Sequence, residues 1–201
     1  MSNVRLTKTF EIPVIVVSER YNYPVIITYT ATAHMVTSTE DTVQQNVAYD
    51  RMRFWVQFIM TDSVLIAQDD KRMDAWAKTG CKLMVFPEDP IDQLVGIMLC
   101  CKLNAIVEGR ISVEEVEISS TLDDDIVYHH AVDEHAGPFA VNGWWLDAKP
   151  VSTNDTKVRP RHGKIINIKK SDSWKEYGLD WNQEDVEAQI LVADFGNDEN
   201  K

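Results

Sequence analysis

The stretch that most limits the fold runs from Met84 to Thr121, MVFPEDPIDQLVGIMLCCKLNAIVEGRISVEEVEISST. Pro87 and Pro90 stand where a helix begins, since proline lacks an N–H that would be unpaired there anyway, and Glu88, Asp89 and Asp92 suit the positive end of the helix dipole. The helix predicted over Ile91 to Val107 is apolar nearly all round, so it must lie deep, across a sheet. Gly109 ends it, and Ile111 to Ser119 then alternates, with Ile111 and Val113 and, after a shift, Val116 and Ile118 on apolar faces. A further strand is expected over Asp125 to His130, with LDDD as the hairpin turn.

What precedes this stretch has the same rhythm. Phe10 to Val17 and Pro24 to Ala33 are rich in β-branched residues and separated by the polar, aromatic SERYNY, the pattern of a strand hairpin. In the second strand Ile27, Tyr29 and Ala31 share one face and Thr28, Thr30 and Thr32 the other, so one face should be buried and the other polar. Thr42 to Ala67 changes to helical spacing, with Thr39 or Asp41 as its cap, and a short helix is expected from Asp69 to Lys78, stopped by Gly80. From Ala136 the text turns to Gly, Pro, Asn and Thr without a sustained period. It reads as an irregular extension with a strand at Lys164 to Lys169, a helix at Asn182 to Val192 and a disordered acidic tail. The expected division is an α+β domain over 1–135, an extension packed on it over 136–195, and the tail over 196–201.

Charge and cysteine count narrow the partners. With 20 basic and 32 acidic residues the formal charge is -12, which repels a phosphate backbone and argues against nucleic acid. A small ligand or a basic protein partner fits better. Cys81, Cys100 and Cys101 form an odd set, read as reduced core thiols of a cytoplasmic protein, and there is neither a secretory leader pattern nor an 18-residue apolar run for a membrane. No glycine-rich phosphate loop, Gly-x-Ser-x-Gly elbow or Cys-x-x-Cys pair is present, which removes P-loop hydrolysis, serine hydrolysis and zinc ribbons.

Several polar groups are candidates for chemistry. His129 to His135 packs three imidazoles and two carboxylates into seven residues, a potential zinc or manganese set in which His130, Asp133 and His135 are ligands and Glu134 is the base. The same segment also reads as an exposed polar loop. Tyr21 and Tyr23 at the hairpin suit stacking on a heteroaromatic ring or plugging the sheet edge, and His34 is a ligand, a proton donor or a half-buried strand end. Trp144, Trp145, Trp174 and Trp181 read equally as interface anchors and as pins holding the extension. The cluster Arg159-Pro160-Arg161-His162-Gly163-Lys164 is a phosphate-binding candidate or a neutraliser of acidic neighbours.

The order of hairpin, two helices and second hairpin over Phe10 to His130 resembles the tunnelling fold of the 6-pyruvoyl- and 6-carboxy-tetrahydropterin synthases. Val47-Ala48-Tyr49-Asp50 resembles the family's Val-x-Asp-Phe stretch, Asp62-Ser63-Val64-Leu65-Ile66-Ala67 its Asp-His-x-x-Leu-Asn, and Asp89-Pro90-Ile91-Asp92-Gln93 its Asn-Pro-Thr-x-Glu. The resemblance implies an α+β fold with an antiparallel sheet carrying two helices on one face. It places Ser119 or Ser120 at the position of the family's ligand-anchoring glutamate, with Glu117 two or three positions away, and it adds Asp62 to His34 and Glu134 as catalytic candidates. The family's zinc site, one histidine on the first strand and a His-x-His pair opening the second, is met here by Tyr21-Asn22-Tyr23, and its cysteine is absent. The function implied is therefore binding of a purine- or pterin-like molecule at a subunit interface by a scaffold without the usual zinc ligands. A homo-oligomer is expected because open sheet edges must be covered or paired. Two other readings stand beside it: an acidic interaction or inhibitor protein, and a metal-dependent hydrolase centred on His129 to His135.

Overall fold

The computed structural model describes residues 4–150 and 173–182. A hairpin of two 13-residue strands, β1 (Arg5–Val17) and β2 (Val25–Thr37), is its spine, paired from Arg5 opposite Val36 to Val16 opposite Val25. β5 (Ile111–Ser120) and β6 (Asp123–Ala131) extend it antiparallel, and β3 (Val64–Ala67) and β4 (Leu83–Phe86) join on the other side of β1 in parallel, giving the order β4-β3-β1-β2-β5-β6. The antiparallel part is the sheet the sequence predicts. The parallel pair is an addition, so the whole sheet is mixed.

Alternation decides which face is covered. Phe10, Ile12, Val14 and Val16 of β1, Ile27, Tyr29, Ala31, Ala33 and Met35 of β2, and Val113, Val116 and Ile118 of β5 are buried in one core with α1 (Thr42–Phe54) and α3 (Asp92–Val107). Each valine, isoleucine, phenylalanine or methionine among them contributes about 1.5–3 kcal/mol by leaving water. α3 is buried nearly all round, and it lies so close to β5 that a Cβ on Gly96 would stand 2.8 Å from Ile118 Cγ2. Ile91, just after Pro90, is extended as the cap, and the helix ends at Glu108 and Gly109, both left-handed. The shift expected in β5 is a bulge opposite the His34–Met35 step, which turns Val116 and Ile118 to the core alongside Val113. Asn104 fills the gap by pairing with both backbone groups of Val113 at 2.9 Å.

The predicted helix over Thr42 to Ala67 is shorter than expected. Asp41 caps α1 by accepting from the N–H groups of Val43 and Gln44, and the helix widens into a π-helical stretch, Trp55–Met60, and stops. Asp62 turns left-handed at φ 58°, and Val64–Ala67, apolar at every position, becomes β3, buried on both faces. The second helix is also shorter: Asp70 accepts from Arg72 and holds a turn, leaving α2 (Met73–Ala77) as one turn over the far face of β3 and β4, where Met73 and Trp76 meet Val17, Val64, Ile66 and Val85.

The extension is locked to this frame by two buried cations. Lys102, at 0 % exposure, donates to the carbonyls of Trp144, Asp147 and Lys149, which uses all three ammonium protons, and burial lowers its pKa to about 8. Arg51 donates to the carbonyls of Leu179 and Ile106, pairs with Glu108 at 3.0 Å and stacks on Trp181 and Trp174. Trp144 and Trp145 are buried with Phe139 and Phe86 in the main core, and Trp174 packs edge-on against Phe54. The tryptophans are therefore pins. The proposed interaction surface built on exposed tryptophans loses that premise. The expected strand at Lys164 to Lys169, the helix from Asn182 onward, the Arg159 to Lys164 cluster and the acidic tail lie outside the described residues.

Candidate functional site

The helix-covered side of β6 does not close completely on α3. A groove follows the first turns of the helix, with Gln93 and Tyr128 common to both its sections. The wider section, about 170 Å³, lies where the β1–β2 hairpin meets the start of α3 and is lined by Ser18, Arg20, Tyr21, Asp92, Gln93 and Tyr128. Alternation along β6 puts Tyr128 here, opposite Ile118. Ser18 donates to Asp89 at 2.7 Å, and Arg20 stands 3.5 Å from the same carboxylate, which fixes one rim. Near Tyr21 and Asp89, the fully buried Tyr29 hydroxyl lies against the Asp92 carboxylate without a well-aligned hydrogen bond, and burial, then that carboxylate, hold its pKa above the usual range.

The narrower section, about 90 Å³, is lined by Gly96, Ile97, His130, Glu134 and His135. His130 is buried and stands 3.4 Å from Glu134, and burial lowers its pKa against the opposing pull of that carboxylate. His135 accepts from the N–H of Gly137, and Asp133 is exposed. His130, Asp133 and His135 do not form a group of converging donor atoms among the described residues.

The uncovered face of the sheet carries a second polar set. His34 lies within β2, not at its end, and its Nε2 is 2.9 Å from Glu117 on β5. Glu117 stands opposite Thr32 on one side and His129 on the other, and His129 Nδ1 is 2.8 Å from Glu115. Ser119, opposite Thr30, shares this face. The structure thus brings His34, Glu117 and Ser119 together and separates them from Tyr21, which lies in the groove. Tyr23 is 79 % exposed at the hairpin turn, and Asp62 is an exposed turn residue whose N–H donates to Pro13. The three catalytic candidates, His34, Asp62 and Glu134, occupy three different places.

No family model matches the sequence, and neither does any curated protein. Among solved structures, an uncharacterized protein from Wolinella succinogenes superposes with a TM-score of 0.51 at 8% identity, over 66% of this chain and 100% of its own. Two 6-pyruvoyltetrahydropterin synthase structures from Plasmodium vivax, one a catalytic-residue mutant, superpose at 0.42 and 0.40 with 7% and 8% identity over the same shares. The likeness is one of fold. It is distant in every case, and the superposition on the Wolinella succinogenes protein agrees with the α+β sheet-and-helix arrangement expected from the sequence. The turn between β1 and β2 carries Tyr21, Asn22 and Tyr23 and no histidine, so it offers no set of imidazoles for a zinc ion.

Sequence reading missed Asp92, Gln93 and Tyr128 as groove residues and Glu115 and His129 as partners on the open face. The alternation YHHA in β6 carries a signal for the last group, since it sends His129 to one face and Tyr128 and His130 to the other. Asp92 and Gln93 become neighbours of β6 only through packing of α3. None of the described helices is long and apolar enough to cross a membrane.

Proposed function

We propose that the groove binds a planar heteroaromatic molecule of the guanine or pterin type. The observation that carries this reading is the wider section, where two tyrosine rings flank a carboxylate and an amide on the first turn of α3. A guanine or pterin ring presents two adjacent N–H donors next to a carbonyl. The Asp92 carboxylate accepts both donors in a charge-assisted pair, the Gln93 amide donates to the carbonyl, and Tyr21 and Tyr128 supply ring faces at small entropy cost. The Tyr29 hydroxyl, without a well-aligned partner, adds a polar group beside the same carboxylate. The open side of the cleft adjoins Leu122 near edge strand β6, where Ile126 and Val127 are also exposed, so a second copy paired along that edge would complete the site.

Calorimetric titration tests this reading. Guanosine and pterin should each saturate at one per chain, and adenosine, which lacks the paired donors, should bind at least about tenfold more weakly. Asp92→Asn should abolish the preference with the fold unchanged by circular dichroism. Equal affinity for guanosine and adenosine, or none for guanosine and pterin, would overturn it.

A further inference from the structure

The set on the open face goes beyond the groove and does not depend on it. One oxygen each from Glu115 and Glu117 and one nitrogen of His129 lie within 4.8 Å of one another, and His34 Nε2 adds a fourth donor 2.9 Å from Glu117. These four groups come from three adjacent strands held in register, β2, β5 and β6, with the bulge at His34–Met35 beside them. Thr7 Oγ1 stands 3.5 Å from His34 Nδ1, on the ring edge turned away from Glu117. We propose that this face holds a divalent zinc-class ion through His34, Glu115, Glu117 and His129.

Two imidazoles and two carboxylates form a neutral site with a dication, and the mixed nitrogen and oxygen set favours zinc over magnesium or calcium, which prefer oxygen alone. The ligand atoms are already nearly close enough to converge, so binding requires side-chain rotation on a rigid sheet and little backbone movement. The imidazole–carboxylate hydrogen bonds of the free site are exchanged for metal bonds, each neutral ring giving the ion a lone pair and carrying its N–H on the other nitrogen. The site differs in its residues from the His130, Asp133, His135 set expected from sequence, and it lies on the opposite side of the sheet from His130.

The test uses untagged, chelator-treated full-length protein and zinc alone, in competition with a chromophoric indicator. One zinc per chain should bind, and Glu117→Ala and His129→Ala should each weaken it at least about tenfold, the double variant about a hundredfold. His135→Ala should leave affinity unchanged. Because these side chains are on the solvent side of the sheet, the variants should keep the parent's melting temperature to within a few degrees. Nuclear magnetic resonance of the unmutated protein provides a check free of substitution, with zinc shifting the His34 and His129 ring signals ahead of those of His130 and His135. Absence of stoichiometric zinc, binding that survives the double variant, or first shifts at His130 and His135 would overturn the proposal.

Discussion

The two faces of the antiparallel sheet carry ionisable groups in opposite circumstances. Under the helices, Lys102 and Arg51 are 0 % and 2 % exposed and spend their donors on backbone carbonyls and, for Arg51, on Glu108. On the bare face, His34, Glu115, Glu117 and His129 pair with one another, His34 also meeting Thr7, and remain partly open to solvent. Charge alone thus does not mark a functional group. A buried cation with every proton used holds the structure, whereas partly exposed groups that converge on each other are free to exchange partners. The groove lies between these extremes: its carboxylate, amide and tyrosines border a cleft, and one buried hydroxyl beside it lacks a well-aligned partner.

That contrast can be broken most forcefully at Lys102. Lys102→Met removes the donor shared by three carbonyls and should cost about 3 kcal/mol, read as a lower midpoint in urea with an unchanged slope. A neutral outcome would mean that the extension is held by its tryptophans alone. Acid sharpens the comparison next. His130 is held below its ordinary pKa by burial, so the unfolded chain, titrating near about 6.5, takes up its proton first. The stability associated with neutral His130 is therefore full above that pH and declines as the pH falls through the lowered folded value. Urea midpoints measured from pH 8 to pH 5 should drop in the parent and drop less in His130→Gln; parallel curves would contradict the assignment. Tyr29→Phe should have the smallest effect, leaving stability unchanged or raising it by up to about 1 kcal/mol, because it removes a buried hydroxyl whose contact with Asp92 is poorly aligned. A clear loss in thermal melting would show that the hydroxyl has a well-aligned partner.

Elements with a sustained period were legible from the sequence. The β1–β2 hairpin, the Pro-started α3, the shift in β5 and the polar Thr28, Thr30, Thr32 face all follow from local sterics and alternation. β3 and β4 were not, because VLIA and LMVF are four-residue apolar runs, each with at least three residues fully buried, and such runs do not distinguish strand from helix. The site was legible in pieces. Tyr21, His34 and His130 were singled out from type and position and Glu117 from the family resemblance, but which of them face each other depends on strand register and on where α3 crosses. That is how Glu117 came to join His34 and His129 while Tyr21 joined Asp92 and Tyr128.

The most direct test of the groove is an amide-resolved nuclear magnetic resonance titration of the full chain with pterin. The account predicts shifts confined to Tyr21, Asp92, Gln93 and Tyr128 and their neighbours, with Thr30, Thr32 and Glu117 on the open face unmoved. Shifts centred on Thr30, Thr32 and Glu117, with the groove silent, would contradict it.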